Sequence, residues 1–97
     1  MFDAEVHRVR GELLLLLEPA DVAGAEAAFM RAVEIARRQH TKTFELRTAT
    51  GLARLWRDQG KRAEARDLLA PIYGWFTEGF DTLDLKQAKS LLDELAQ

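Results

Sequence analysis

Residues 52–69 restrict the fold more than any other segment, because they are typical of two helices joined by one tight turn. Apolar residues recur at helical spacing on both sides of Gly60, at Leu52, Ala53, Leu55 and Trp56 and again at Ala65, Leu68 and Leu69. Gly60 can adopt the left-handed conformation that ends a helix. Residues 61–64 contain good helix formers and no second breaker. The segment therefore predicts a helical hairpin.

A looser copy of this hairpin lies earlier in the chain. Two sets of apolar residues share one spacing and lie 40 residues apart: Ala25, Phe29 and Ala32, and Ala65, Leu69 and Ile72. In the first helix of each copy, a small residue is followed three positions later by a large apolar one: Gly11 by Leu14, and Ala53 by Trp56. This pattern resembles tetratricopeptide repeats, in which the first helix carries a small residue where the second crosses closely.

The rest of the chain favours an all-α fold, because no stretch alternates apolar and polar residues over the length of a strand. We expect a single domain over residues 1–97, a fragment of a right-handed α-solenoid. It should comprise a first hairpin over residues 1–40, a second over 41–76 and a capping helix over 81–97. The expected helices cover residues 3–17, 21–39, 42–59, 61–76 and about 82–96. Pro71 should kink the fourth helix or end it near Ala70.

Several classes of protein are disfavoured by composition. The chain contains no cysteine, which excludes a disulfide framework and thiolate metal sites. Its first residues are acidic where a signal peptide is basic, and the run of five leucines at residues 13–17 is too short to span a bilayer. We therefore expect a soluble, cytoplasmic protein that does not insert into a membrane.

Catalytic and metal-binding patterns are not found in the sequence. His7 and His40 are far apart and lack a metal-binding motif, and Ser90 lies in no nucleophile elbow. No phosphate-binding loop is present. We expect no enzymatic activity, no cofactor and no metal site, and interpret both histidines as surface or helix-end residues.

Charge is unevenly distributed. Residues 37–66 contain nine Lys and Arg residues against three acidic ones, although the formal net charge of the chain is −2. One alternative is therefore a small nucleic-acid-binding helical domain that uses this basic segment. The acidic total charge makes that alternative unlikely and favours a protein partner.

A narrower resemblance involves residues 25–39, AEAAFMRAVEIARRQ, and residues 52–82, which end in YGWFTEGFDT. These segments resemble the C-terminal region of large bacterial signalling ATPases. In that family a nucleotide-binding module, often preceded by an adenylate or guanylate cyclase domain, is followed by tetratricopeptide-like repeats. The resemblance implies a protein-interaction or regulatory module, and it transfers no catalytic residue to this chain.

The repeat pattern also predicts a binding face. Aligning Ala53 with the small-residue position directs a set of polar residues toward the concave surface: Arg8, Arg47, Thr50, Arg54 and Arg57. We expect this face to bind an acidic peptide or a carboxylate through forked hydrogen bonds. The alternative is a solvated face whose charges pair locally, for instance Arg54 with Asp58.

The first helix predicts self-association. Five consecutive leucines leave no side of that helix polar, so packing within one chain should cover only part of it. We expect a homodimer that buries apolar side chains of this helix: Val6, Val9, Leu13, Leu14, Leu15, Leu16 and Leu17. The alternatives are packing against upstream repeats and fuller coverage by the rest of the chain.

Overall fold

The computed structural model describes residues 3–16, 21–76 and 82–96, and within these ranges it contains five helices and no strand. The helices are α1 (Asp3–Leu15), α2 (Val22–Arg38), α3 (Lys42–Asp58), α4 (Arg62–Tyr73) and α5 (Leu83–Leu95). The expected all-α fold is thus confirmed.

Most helix ends lie within a few residues of the predicted positions. Asp21 caps α2 by accepting a hydrogen bond from the backbone N–H of Gly24 at 2.9 Å. The first helix ends at Leu15, two residues earlier than predicted, and Leu17 lies outside the described residues. The fourth helix continues through Pro71 to Tyr73, so it does not end near Ala70.

Two turns of the fold share one geometry. After α3, Gly60 has a φ of +79°, and the N–H of Lys61 donates to the carbonyl of Trp56 at 2.8 Å. After α2, His40 has a φ of +56°, and the N–H of Thr41 donates to the carbonyl of Ala36 at 3.0 Å. Both turns are Schellman motifs. His40 occupies a position that glycine would adopt with less strain.

The packing contacts arrange the helices in two layers. Each helix packs against its neighbours in the chain, and α3 also contacts α1 and α5. Within the described residues, α2 and α4 do not pack against each other. One layer therefore contains α1, α3 and α5, and the other contains α2 and α4. The molecule measures 38 × 36 × 19 Å, and 19 Å is close to two helix diameters.

The largest core cluster joins α3, α4 and α5. Leu85, Leu91 and Leu95 of α5 are buried against Leu69 and Ile72 of α4, while Leu92 and Leu68 are partly buried. This burial agrees with the predicted role of α5 as a cover for the apolar face of α4.

A second core cluster is centred on Phe29, whose ring lies between two glycines. A Cβ atom built on Gly11 of α1 would lie 3.1 Å from the ring, and one built on Gly51 of α3 would lie 3.0 Å from it. Phe29 of α2 is thus the group that approaches α3 at Gly51 and α1 at Gly11. These glycines let α2 insert a ring between α1 and α3.

Candidate interaction surfaces

The predicted arginine face lies in a cleft where α3 is flanked by α1 and α5. This arginine cleft has a volume of about 280 Å³, and its lining includes Arg8, Arg47, Thr50 and Arg54. The fold therefore brings four of the five predicted residues together. Arg57 lies in an adjoining hollow that it shares with Arg54.

Carboxylates of the chain already engage most of these arginines. Arg47 donates forked hydrogen bonds from Nε and Nη2 to the two oxygens of Asp84, at 3.2 and 3.1 Å. Arg8 binds Glu5 and Glu12, and Arg57 donates to Glu94 at 2.7 Å. An incoming acidic peptide would therefore compete with acids supplied by α1 and α5.

Arg54 differs from the other arginines of the cleft. Within the described residues it has no carboxylate at salt-bridge distance, and the expected pair with Asp58 does not form because Asp58 binds Arg57 instead. Thr50 is buried, and its hydroxyl donates to the carbonyl of Leu46 at 2.8 Å. The predicted site thus retains one arginine with an uncommitted guanidinium group.

The ion pairs of the cleft change the titration of Glu5. A hydrogen bond from Arg8 lowers the pKa of Glu5 below its ordinary value of 4.5, and the positive charges of Arg8 and Arg47 lower it further against the opposing effect of burial. Hydrogen bonding to Glu5 raises the pKa of Arg8, and hydrogen bonding to Asp84 raises the pKa of Arg47. Arg47 links α1 to α5, because its Nη1 lies 3.6 Å from Oε2 of Glu5 while its Nε and Nη2 bind Asp84.

We expect this network to contribute to acid sensitivity. A lowered pKa in the folded state favours folding above the unfolded-state pKa, and this contribution is lost as pH falls through the folded value. Wild type should therefore lose more unfolding free energy than Glu5→Gln between roughly pH 5 and pH 3 in urea titrations. The exposed Glu64→Gln variant should behave like wild type. Equal losses in wild type and Glu5→Gln would contradict the assignment.

The predicted self-association helix carries an apolar stripe of four side chains. Val6, Val9, Leu13 and Leu16 are 60, 39, 58 and 77 % exposed. The first three lie on one face of α1, and Leu16, in the turn directly after α1, extends the same stripe. Leu14 and Leu15 turn the other way and pack against the Phe29 cluster. Self-association through this helix stays a prediction, and its open surface is the stripe of four side chains, because Leu14 and Leu15 are partly buried against the same chain.

A third surface lies between α2 and α4, above α3. This basic groove has a volume of about 570 Å³, and its lining includes Met30, Val33, Leu52, Trp56 and Leu68. Its α2 edge carries Arg31, Arg37 and Arg38 together with Glu34. Sequence reasoning missed the groove because it treated Trp56 as core alone. One indication of the groove is present in the sequence: Met30 and Arg31 are followed about two helix turns later by Arg37 and Arg38.

The edge of the basic groove is anchored at Arg37. Its Nε donates to Oε2 of Glu45 at 2.7 Å, and the side chain of Glu45 is only 4 % exposed. This pairing holds a buried carboxylate next to the exposed guanidinium group. Trp56 is held at the floor, where its indole N–H donates to Glu26 at 2.8 Å.

The basic segment over residues 37–66 does not form one continuous positive surface. Arg37, Arg47 and Arg57 bind carboxylates, and Arg62 donates to the backbone carbonyl of Glu94 at 2.6 Å. Because these groups lie on different helices and bind acceptors of the chain, they offer a poor track for phosphates.

The described residues contain no set of three or more His, Asp or Glu side chains that could hold a metal ion. In the same part of the chain, no helix combines the length and apolar character needed to cross a bilayer.

The described residues form an all-helical fold with two helix layers, whose helix faces form the arginine cleft, the apolar stripe and the basic groove. Comparison with models of protein families, with curated proteins and with solved structures found no match to this chain.

Proposed function

We propose that this chain is a tetratricopeptide-like interaction module that self-associates through α1. The observation that carries the proposal is the apolar stripe, in which four side chains spaced along one helix face are 39–77 % exposed. Monomeric soluble proteins rarely leave a contiguous apolar face open, and such faces mark sites of protein association.

The packing order supports the repeat-like part of this proposal. Hairpins stacked as in tetratricopeptide repeats would place first helices in one layer and second helices in another, as α1, α3 and α5 stand opposite α2 and α4. Equivalent positions of the two hairpins also have equivalent burial, since Ala25 and Ala65 are both fully buried.

The sequence beside the stripe favours a parallel pair of α1 helices. Val6, Val9, Leu13 and Leu16 fit the a and d positions of two heptads, which places Glu5 at g and Arg10 at e. In a parallel pair, a g residue faces the e residue five positions later in the other helix. Glu5, which already binds Arg8 of its own chain, would then also lie beside Arg10 of the partner subunit, whereas an antiparallel pair would place like charges together.

The expected strength of this association is moderate. Residues 6–16 of α1 span only about 15 Å along the helix axis, so the stripe alone is smaller than the roughly 800 Å² that each partner buries in a standard interface. Each fully buried Val or Leu contributes about 1.5–3 kcal/mol, and ordering costs offset part of this gain. We therefore expect a dimer with a dissociation constant of about 1–100 µM.

Sedimentation equilibrium tests the proposal. Wild type should shift from monomer toward dimer between about 1 and 300 µM, while a Leu13→Glu, Leu16→Glu variant should remain monomeric with unchanged helical circular dichroism. Leu83→Glu is the matched control, because Leu83 is 68 % exposed but lies on α5. A wild-type monomer of 11.0 kDa throughout the range would refute self-association.

The resemblance to bacterial signalling ATPases suggests a setting for the module. We propose that it acts in the cytoplasm as a C-terminal regulatory element of such a protein. In that setting an upstream repeat would compete with the second copy for the stripe. Fusing one helical hairpin before residue 1 and repeating the sedimentation experiment would separate these occupants, because an occupied stripe should no longer dimerise.

A further inference from the structure

We infer that the basic groove between α2 and α4 binds an amphipathic helix with an acidic flank, supplied by another protein. This inference is independent of self-association, because the apolar stripe lies on α1 and α1 contributes no residue to the lining of the groove. It also differs from the predicted arginine cleft, which lies at α1, α3 and α5.

The helix arrangement leaves a position for one more helix. Packed helices lie about 8–10 Å apart, yet α2 and α4 do not contact each other in the described part of the chain and are bridged only by α3 beneath them. A helix laid along this gap would contact α2 on one side and α4 on the other. This is the helix-in-groove mode of peptide recognition.

The floor of the groove would receive the apolar face of that helix. Leu52 is buried, Trp56 and Leu68 are partly buried, and Met30 is 52 % exposed at the α2 edge. Methionine is unbranched and adaptable, so Met30 can pack against apolar side chains of different shapes. Apolar residues at positions i, i+3 or i+4 and i+7 of the incoming helix would match such a floor.

The charges along the α2 edge of the basic groove determine which charge the flank of the bound helix should carry. Glu34 is shared by Arg31 at 3.4 Å and Arg38 at 3.3 Å, and both arginine side chains are more than half exposed. Arg37 is directed to Glu45. The exposed part of the α2 edge therefore carries two arginines, Arg31 and Arg38, for the one carboxylate of Glu34, while Glu26 of α2 accepts the indole N–H of Trp56 at the floor. The α4 edge contributes only Leu68 to the lining. Acidic residues on the side of the bound helix that faces α2 complement this asymmetry.

The probe for the test is a pair of designed 18-residue helical peptides with leucine along one face. One carries glutamate and the other lysine on the same flank, and their affinities are measured by isothermal titration calorimetry. We expect the glutamate peptide to bind at least about tenfold more tightly than the lysine peptide.

Variants of the chain assign the binding to the groove. Met30→Glu should lower the affinity for the glutamate peptide by about tenfold or more. The double variant Arg31→Glu, Arg38→Glu should reverse the preference between the two peptides. Lys86→Glu is the matched control, because Lys86 is exposed on α5 and should change neither affinity. The Leu13→Glu, Leu16→Glu variant should bind as wild type does, so a failure of self-association would not affect the result.

Three outcomes would overturn the inference. The first is equal affinity for the two peptides, and the second is binding of the glutamate peptide that is insensitive to Met30→Glu. The third is binding of a DNA duplex that depends on Arg31 and Arg38 but not on Met30, since phosphate recognition needs the charges without the apolar floor.

Discussion

Replacing Phe29 with alanine should lower the free energy of unfolding by about 3–5 kcal/mol. The side chain is 1 % exposed and lies in the cluster that joins α2 to α3, with Leu52 and Leu55 around it. Its ring also fills the space left by Gly11 and Gly51, so truncation would leave a cavity at the junction of three helices. Urea unfolding followed by circular dichroism measures the loss, and a change below about 1 kcal/mol would show that the helices collapse into the space.

The packing of Phe29 against Gly51 predicts that the effect of Gly51→Ala on stability changes sign when Phe29 is replaced by a smaller residue. A Cβ atom built on Gly51 would lie 3.0 Å from Phe29. The opposite edge of the ring packs so closely on Gly11 that a Cβ atom built on Gly11 would lie 3.1 Å from it, which limits how far the ring can retreat. Gly51→Ala should therefore destabilise wild type by about 1–3 kcal/mol, less the gain of up to about 1 kcal/mol in helix propensity. In a Phe29→Leu background the same substitution should be neutral or stabilising. Additive effects in this double-mutant cycle would contradict the inference that the Phe29 ring is confined between the two glycines.

Deleting residues 82–97 should abolish cooperative unfolding. Leu85, Leu91 and Leu95 are buried in the core they share with α3 and α4, and removal of one such side chain costs about 2–5 kcal/mol. Three of them together approach the whole stability of a small domain, about 5–15 kcal/mol. The deletion also removes Asp84 and Glu94, the partners of Arg47 and Arg57.

Calorimetry and dye binding test the deletion. The shortened chain should bind a hydrophobic dye and show no sharp thermal transition, as expected for an exposed core. The exposed Leu83→Ala variant should melt as wild type does, because Leu83 lies outside the buried cluster. A sharp transition in the shortened chain near the wild-type temperature would show that α5 is an appendage.

Sequence periodicity is sufficient to predict α2 to α5, because their apolar residues recur at the spacing of a helix turn, whereas the leucine run of α1 shows little such periodicity. The same reasoning identified Asp21 as a cap and Gly60 as a left-handed turn residue, since both roles depend on local backbone geometry. The sequence does not predict the left-handed conformation of His40, because only a few per cent of non-glycine residues adopt a positive φ, although histidine is enriched among them.

Interactions between distant residues could not be predicted. The helical alignment placed Arg47 and Arg54 on one face, but nothing in it indicated that Asp84 lies beside Arg47 while Arg54 has no acidic neighbour in the described residues. The run of leucines predicted an open apolar face. Which leucines remain open depends on how α1 rotates against Phe29, and local periodicity does not fix that rotation.

The two-layer packing has a consequence for how the chain folds and opens. Helices contact only their chain neighbours or the helix two positions away, and α3 is in contact with all four others. Such local contacts give low contact order, which is typical of folding in microseconds to milliseconds. Because α1 and α5 do not pack against each other within the described residues, α1 can detach without disturbing the core that α5 shares with α3 and α4. Amide protons should therefore exchange with solvent last in α3, and the apolar stripe belongs to the helix that opens first.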